Sequence, residues 1–265
     1  MTERKPMNKG SFGKLYRPPL ECPESSYNGL SNYVGKITDF PMEEFKDGEK
    51  IRAYEDWAVW ACPAIAICNT PHDGKQLIFR YCGTPIEDLL VKSGKFKDEM
   101  LEYADEPRLN PAGFDILVTH LIEFLPYVLK LNKTYIHNDL HYRNILFDGN
   151  RFYMIDFATL KPIDFHIVRE TELIRKKLGR EKYSEAHIEA FIESHADDIR
   201  NEALCIDLER ILSPLISMID SPWGKTHLKK YRFWLGLTRK PKGFKQPLQT
   251  PDDYVRVIRM LRDFM

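Results

Sequence analysis

Tyr135-Ile-His-Asn-Asp-Leu-His-Tyr-Arg-Asn-Ile-Leu-Phe-Asp-Gly-Asn-Arg-Phe-Tyr-Met-Ile-Asp-Phe157 is the stretch from which the rest of the chain can be read. Two apolar runs, Ile145 to Phe147 and Phe152 to Ile155, flank Asp148-Gly149-Asn150-Arg151. Asp-Gly between apolar runs is a strong hairpin signal. A hairpin folds its ends together, so Asn144 at the entry and Asp156 at the exit are expected at one open end. Asp139 lies on the loop leading in. Carboxylate and amide oxygens are hard ligands, suited to Mg²⁺ that carries phosphates. A further carboxylate can take the proton of an incoming hydroxyl. Metal ligands plus such a base are the parts that phosphoryl transfer requires.

Upstream of this stretch the texture is mixed. The first 80 or so residues are short apolar runs broken by Gly, Pro, Asn and Ser. Leu77-Ile-Phe-Arg-Tyr81 and Tyr33-Val-Gly-Lys-Ile37 read as strands, and Pro41 to Trp60 is compatible with helix. After Cys82-Gly83-Thr84-Pro85 helical spacing takes over. Leu117, Leu121, Phe124, Leu125, Val128 and Leu129 define a helix over Asp115 to Asn132, with a kink expected at Pro126. Glu185 to Asn201 is a polar helical stretch, and Asp207 to Ile219 an apolar helix opened by Asp207. Thr250-Pro251-Asp252-Asp253 signposts a last helix by its cap, its first-turn proline and its acidic start.

In this setting His137-x-Asp139-x-x-x-x-Asn144, followed by Asp156-Phe157, resembles the catalytic loop and metal-binding triplet of the protein kinase-like superfamily. The resemblance implies an α+β, bilobal fold: a β-rich N-lobe over residues 1–83 and a larger, mainly helical C-lobe over 84–265. It implies Asp139 as the catalytic base and Asn144 and Asp156 as metal ligands. Gly10-Ser11-Phe12-Gly13 resembles the later part of a phosphate-covering glycine loop, with Asn8 where the first glycine usually stands. Lys36 resembles the phosphate-binding lysine, although it follows Gly13 by 36 − 13 = 23 residues. Glu49 is the expected partner of Lys36, because Glu49-Lys-Ile-Arg-Ala-Tyr54 fits the family's helix register; Glu44 and Glu55 stay open as alternatives. Tyr81 and Cys82 match the hinge whose backbone holds adenine. Asp207 matches the aspartate that anchors the catalytic loop. The implied ligands are ATP and Mg²⁺, with Mn²⁺ as the alternative ion. The N-terminal part also resembles serine/threonine protein kinases of large DNA viruses.

Several positions depart from the family pattern. Asn138 replaces the arginine that often precedes the base. Ala158 replaces the glycine after Asp156-Phe157. No Ala-Pro-Glu equivalent follows Ala158, and in protein kinases that segment docks the peptide. His141 stands where a lysine usually neutralises the transferred group, and Asp-Leu-His resembles the aminoglycoside and choline phosphotransferase branch. Three readings result. The first is a kinase acting on Ser or Thr of a protein substrate. The second is a kinase of a small alcohol. The third, a binding module without turnover, is disfavoured by the retention of Lys36, Asp139, Asn144 and Asp156.

Composition sets the outer bounds. The chain has 265 residues, 43% of them hydrophobic, which suits a folded protein able to bury its own core. Lys plus Arg and Asp plus Glu both number 39, so a globally basic nucleic-acid binder is disfavoured. The basic, aromatic-interleaved segments Lys225 to Arg232 and Arg239 to Lys245 are expected to be a solvated face. The five cysteines are odd in number and form no C-x-x-C. They argue against a disulfide framework and fit a reducing, cytoplasmic setting. The N-terminal residues show no signal peptide, and the apolar run Ala58 to Cys68, interrupted by Pro63, is too short for a bilayer, so no membrane is expected as a partner.

Overall fold

The computed structural model describes residues 6, 8–10, 13–90, 111–231 and 248–265. It is an α+β protein that divides into two compact units. One comprises Met1–Pro85 and Asn144–Thr159, the other Ile86–Arg143 and Leu160–Met265.

The first unit is built on an antiparallel sheet of order β1-β2-β3-β5-β4. Its strands are β1 (Asn8–Gly10), β2 (Gly13–Tyr16), β3 (Tyr33–Ile37), β4 (Ala66–Thr70) and β5 (Gly74–Arg80). Helices α1 (Pro41–Arg52) and α2 (Trp57–Trp60) follow β3. The register sets Lys36 opposite Leu15 on one side and Leu77 on the other. The long connection from β2 to β3 is tied down rather than free. The Gln76 side chain accepts from the Leu20 N–H (2.9 Å) and donates to the Leu20 carbonyl (3.0 Å). Gly35 makes room for that clamp, since a Cβ there would sit 1.9 Å from the Gln76 Oε1.

The hairpin expected from Asp148-Gly149 is present: β8 (Ile145–Phe147) pairs with β9 (Phe152–Met154), matching Ile145 to Met154 and Phe147 to Phe152. It belongs to the first unit rather than to the lobe expected over 84–265. Strand pairing explains the difference. The short strand β6 (Thr84–Pro85) pairs with β8, and Ala61 bridges to Met154. Gly83 is required just before β6: its φ is +105°, and a Cβ would lie 2.0 Å from the Phe147 carbonyl oxygen.

The cysteines correct the sequence reading. Cys22 is bonded to Cys68 and Cys62 to Cys82, while Cys205 is a buried free thiol. Both bonds lie in the first unit, joining residues 46 and 20 positions apart in the chain. The sheet brings these partners together, so neither the odd count nor the missing C-x-x-C carried information about them. The argument for a reducing compartment falls with that expectation.

The second unit is mainly helical. It contains α3 (Ile86–Leu90), α4 (Pro111–Asn132), α5 (Ile163–Arg180), α6 (Glu185–Ser194), α7 (Ala196–Asp220), α8 (Pro222–His227) and α9 (Pro251–Met260). A two-stranded ribbon pairs β7 (Tyr135–Ile136) with β10 (Lys161–Pro162). By length and composition α4 could cross a membrane. It instead buries Phe114, Leu117, Leu121, Leu125 and Val128, and its Asn132 amide donates to the Leu204 carbonyl of α7 at 3.0 Å. The expected polar helix of 185–201 is broken at His195, the junction of α6 and α7. Asp207 does not open a helix; it sits inside the 25-residue α7. The last helix follows the signposts, with Thr250 and Asp253 forming a reciprocal capping box.

Candidate active site

In the first unit the central feature is the ammonium of Lys36. It lies 2.8 Å from Glu44 Oε1 and 3.4 Å from Asp156 Oδ1. β3 presents the lysine, the first turn of α1 presents Glu44, and the exit of the hairpin presents Asp156. Burial pushes the Glu44 carboxyl above its ordinary range, against the pull of the Lys36 charge. Asp156 holds a φ of +59°, a sparsely populated conformation for a residue with a side chain, and such conformations gather at functional sites. The Ile155 N–H donates to the Asn144 carbonyl at 3.0 Å, which brings Asn144 and Asp156 to the same end of the hairpin.

Glu49, the expected partner of Lys36, is not its partner. Its side chain is 58% exposed and reaches Arg52 at 3.8 Å, whereas the Glu44 side chain is 5% exposed. Helix geometry gives the reason. Glu44, Gly48 and Ile51 are the buried positions of α1, spaced four and three apart along one face, and Glu49 falls off it. Counting back from the apolar Ile51 would have found Glu44. Glu44→Gln is therefore expected to destabilise the fold by about 3 kcal/mol, the low end for breaking a buried ion pair, because Asp156 remains beside Lys36. Glu49→Gln should change stability by less than about 0.5 kcal/mol. Urea unfolding of the two variants checks the pair, and equal losses would contradict the assignment.

The second unit holds Asp139. Its Oδ1 accepts from the Arg210 guanidinium at 2.9 Å, and its Oδ2 lies 3.5 Å from His141 Nε2. The Arg143 N–H donates to His141 Nδ1 at 3.2 Å, so the ring proton belongs on Nε2, facing Asp139. Arg143 is itself paired with Glu87 on α3. Burial alone would raise the Asp139 carboxyl, but His141 and then Arg210 hold it below the usual range. Asp207 is fully buried and accepts from the backbone N–H of His137 (2.8 Å) and Asn138 (3.0 Å). These two bonds fix Asn138 at a φ of +63°, in the left-handed region that asparagine tolerates. Asp207 thus does hold the loop before Asp139, from mid-helix.

The remaining expected residues are distributed as follows. Gly10 and Gly13 pair with each other at the β1–β2 turn, and Ser11 and Phe12 lie outside the described residues. The Tyr81 N–H donates to the Asn32 carbonyl at 2.8 Å, and Arg17 stacks on its ring at 3.4 Å. Cys82 is buried, its sulfur taken up in the bond to Cys62. Of the basic C-terminal segments, residues 232–247 lie outside the described residues. Among the described residues no three or more His, Cys, Asp or Glu gather as a metal site. A magnesium held by one or two protein oxygens and by nucleotide phosphates needs no such cluster. Asn144 and Asp156, at one end of the hairpin, each carry a side-chain oxygen of the type magnesium prefers.

Residues 84–167 match the model of the phosphotransferase enzyme family, APH. Among solved structures the chain is similar to that of the Cydia pomonella granulovirus kinase PK-1. The two are 16% identical with a TM-score of 0.38, and the match covers 60% of this chain and 54% of that one. The chain thus matches about half the length of that structure. No curated protein matches the sequence. In its motifs and in this family match the chain resembles the protein kinase-like superfamily.

Proposed function

We propose that the chain is an ATP-dependent phosphotransferase acting on a hydroxyl group, with a serine or threonine of a protein as the first reading of the acceptor. The observation that carries it is the Lys36–Glu44–Asp156 cluster, in which one buried ammonium lies between two carboxylates from different elements. Such an ammonium is a ready partner for phosphate oxygens, and Glu44 keeps it in place when Asp156 turns to another ligand. Asn144 and Asp156 would hold Mg²⁺, which when bound neutralises phosphate charge. Backbone groups from Gly10 to Gly13 would cover the phosphates, and Tyr81 and Cys82 would offer backbone to the base. Asp139, ionised and oriented, would accept the acceptor hydroxyl proton. The acceptor oxygen bonds to the terminal phosphorus, the bond from that phosphorus to the bridging oxygen breaks, and ADP leaves.

A second reading, a small alcohol as acceptor, is favoured by the family match over 84–167 and by His141 beside Asp139. One assay separates the two. The full chain is incubated with Mg²⁺ and ATP labelled in its terminal phosphate, with a mixed protein extract in one arm and a panel of small alcohols in the other. Label on serine or threonine supports the first reading, and label on an alcohol the second. ATP bound without transfer in either arm would overturn both and leave a binding module.

A further inference from the structure

One helix grips the loop around Asp139 at four successive places. On α7, Asp207 takes the backbone N–H of His137 and Asn138, Arg210 donates to the Asp139 carboxylate, and the Ile211 carbonyl accepts from the Tyr142 hydroxyl at 3.0 Å. Asp207, Arg210 and Ile211 are spaced three and four apart, so they share one face of the helix. Asp207 and Ile211 act on the frame of the loop. Arg210 alone of the three acts on the group that would do chemistry.

We infer that Arg210 is a positioning residue for Asp139: its guanidinium, bonded to Oδ1, fixes the rotamer of that carboxylate in the orientation in which it meets the acceptor. The inference rests on the reading of Asp139 as base. His141 from the same loop and Arg210 from α7 face the carboxylate, His141 toward Oδ2 and Arg210 toward Oδ1. With both oxygens engaged, the carboxylate cannot rotate without breaking a charge-assisted bond. A base held in one orientation serves proximity better than a free one. Arg210 is 40% exposed, so its replacement leaves no buried cavity.

The test uses the full-length chain and two independent readouts. The first is the titration of the Asp139 carboxylate by ¹³C NMR, its signal assigned by its loss in Asp139→Asn. The second is steady-state turnover with whichever acceptor is labelled above. Arg210→Gln should raise the titration midpoint of Asp139, and Arg210→Lys, which keeps the charge but not the planar fork, should restore part of the shift. Turnover should fall at least about tenfold and by no more than the roughly 10²–10⁴ that the base itself contributes, at unchanged KM for ATP. An unmoved midpoint, or an unmoved rate, would overturn the inference. If Asp139→Asn left the rate intact while the Arg210→Gln midpoint moved, the base reading would be what failed, and the catalytic part of the inference with it.

Discussion

Asp139→Asn is expected to lower turnover by roughly 10²–10⁴, the usual contribution of a positioned general base, while ATP affinity stays within about twofold of the wild type. The substitution keeps the shape of the side chain. An amide oxygen can still accept from Arg210, so the loop held by Asp207 should stay in place. What is lost is the ability to take a proton. Initial rates against ATP and against acceptor check this, with circular dichroism to verify the fold. An unchanged rate would remove Asp139 from the chemistry.

Asp156→Asn should act on the other half of the reaction. Asp156 is an anionic oxygen donor at the hairpin exit, 3.4 Å from Lys36. Metal-borne charge neutralisation is worth several kcal/mol, so losing an anionic ligand should reduce Mg²⁺-dependent ATP affinity or turnover by about a hundredfold or more. Lys36 keeps Glu44 at 2.8 Å, so the variant should still fold. Titration of ATP with and without Mg²⁺ checks the prediction. The wild type should show a strong dependence on the ion and Asp156→Asn little. A variant with the full ion dependence would contradict the role of Asp156.

Local signals carried much of the fold. The Asp148-Gly149 hairpin, the strand around Lys36 and the capping box at Thr250 are written in neighbouring residues, and each was legible for that reason. Long-range pairings were not. Cys22 and Cys68 are 46 residues apart in the chain, and the loop that carries Cys22 is held against β5 by Gln76 at Leu20. The hairpin joined the first unit through β6 and Ala61, which no local pattern announces. At the candidate site the motif residues were readable, while their partners were read less well. Motif register points to Glu49, whereas the buried face of α1, Glu44-Gly48-Ile51, selects Glu44. Arg210 belongs to no motif, and its place three positions after Asp207, on the same helix face, is the signal for it.

The most direct measurement is a crystal structure of the chain grown with Mg²⁺ and a non-hydrolysable ATP analogue. The expected result is a metal ion about 2.0–2.1 Å from an Asp156 oxygen and from the Asn144 amide oxygen. The Lys36 ammonium should then contact a phosphate oxygen and Glu44. A nucleotide seated away from these residues, with Asp156 still paired to Lys36, would contradict the account.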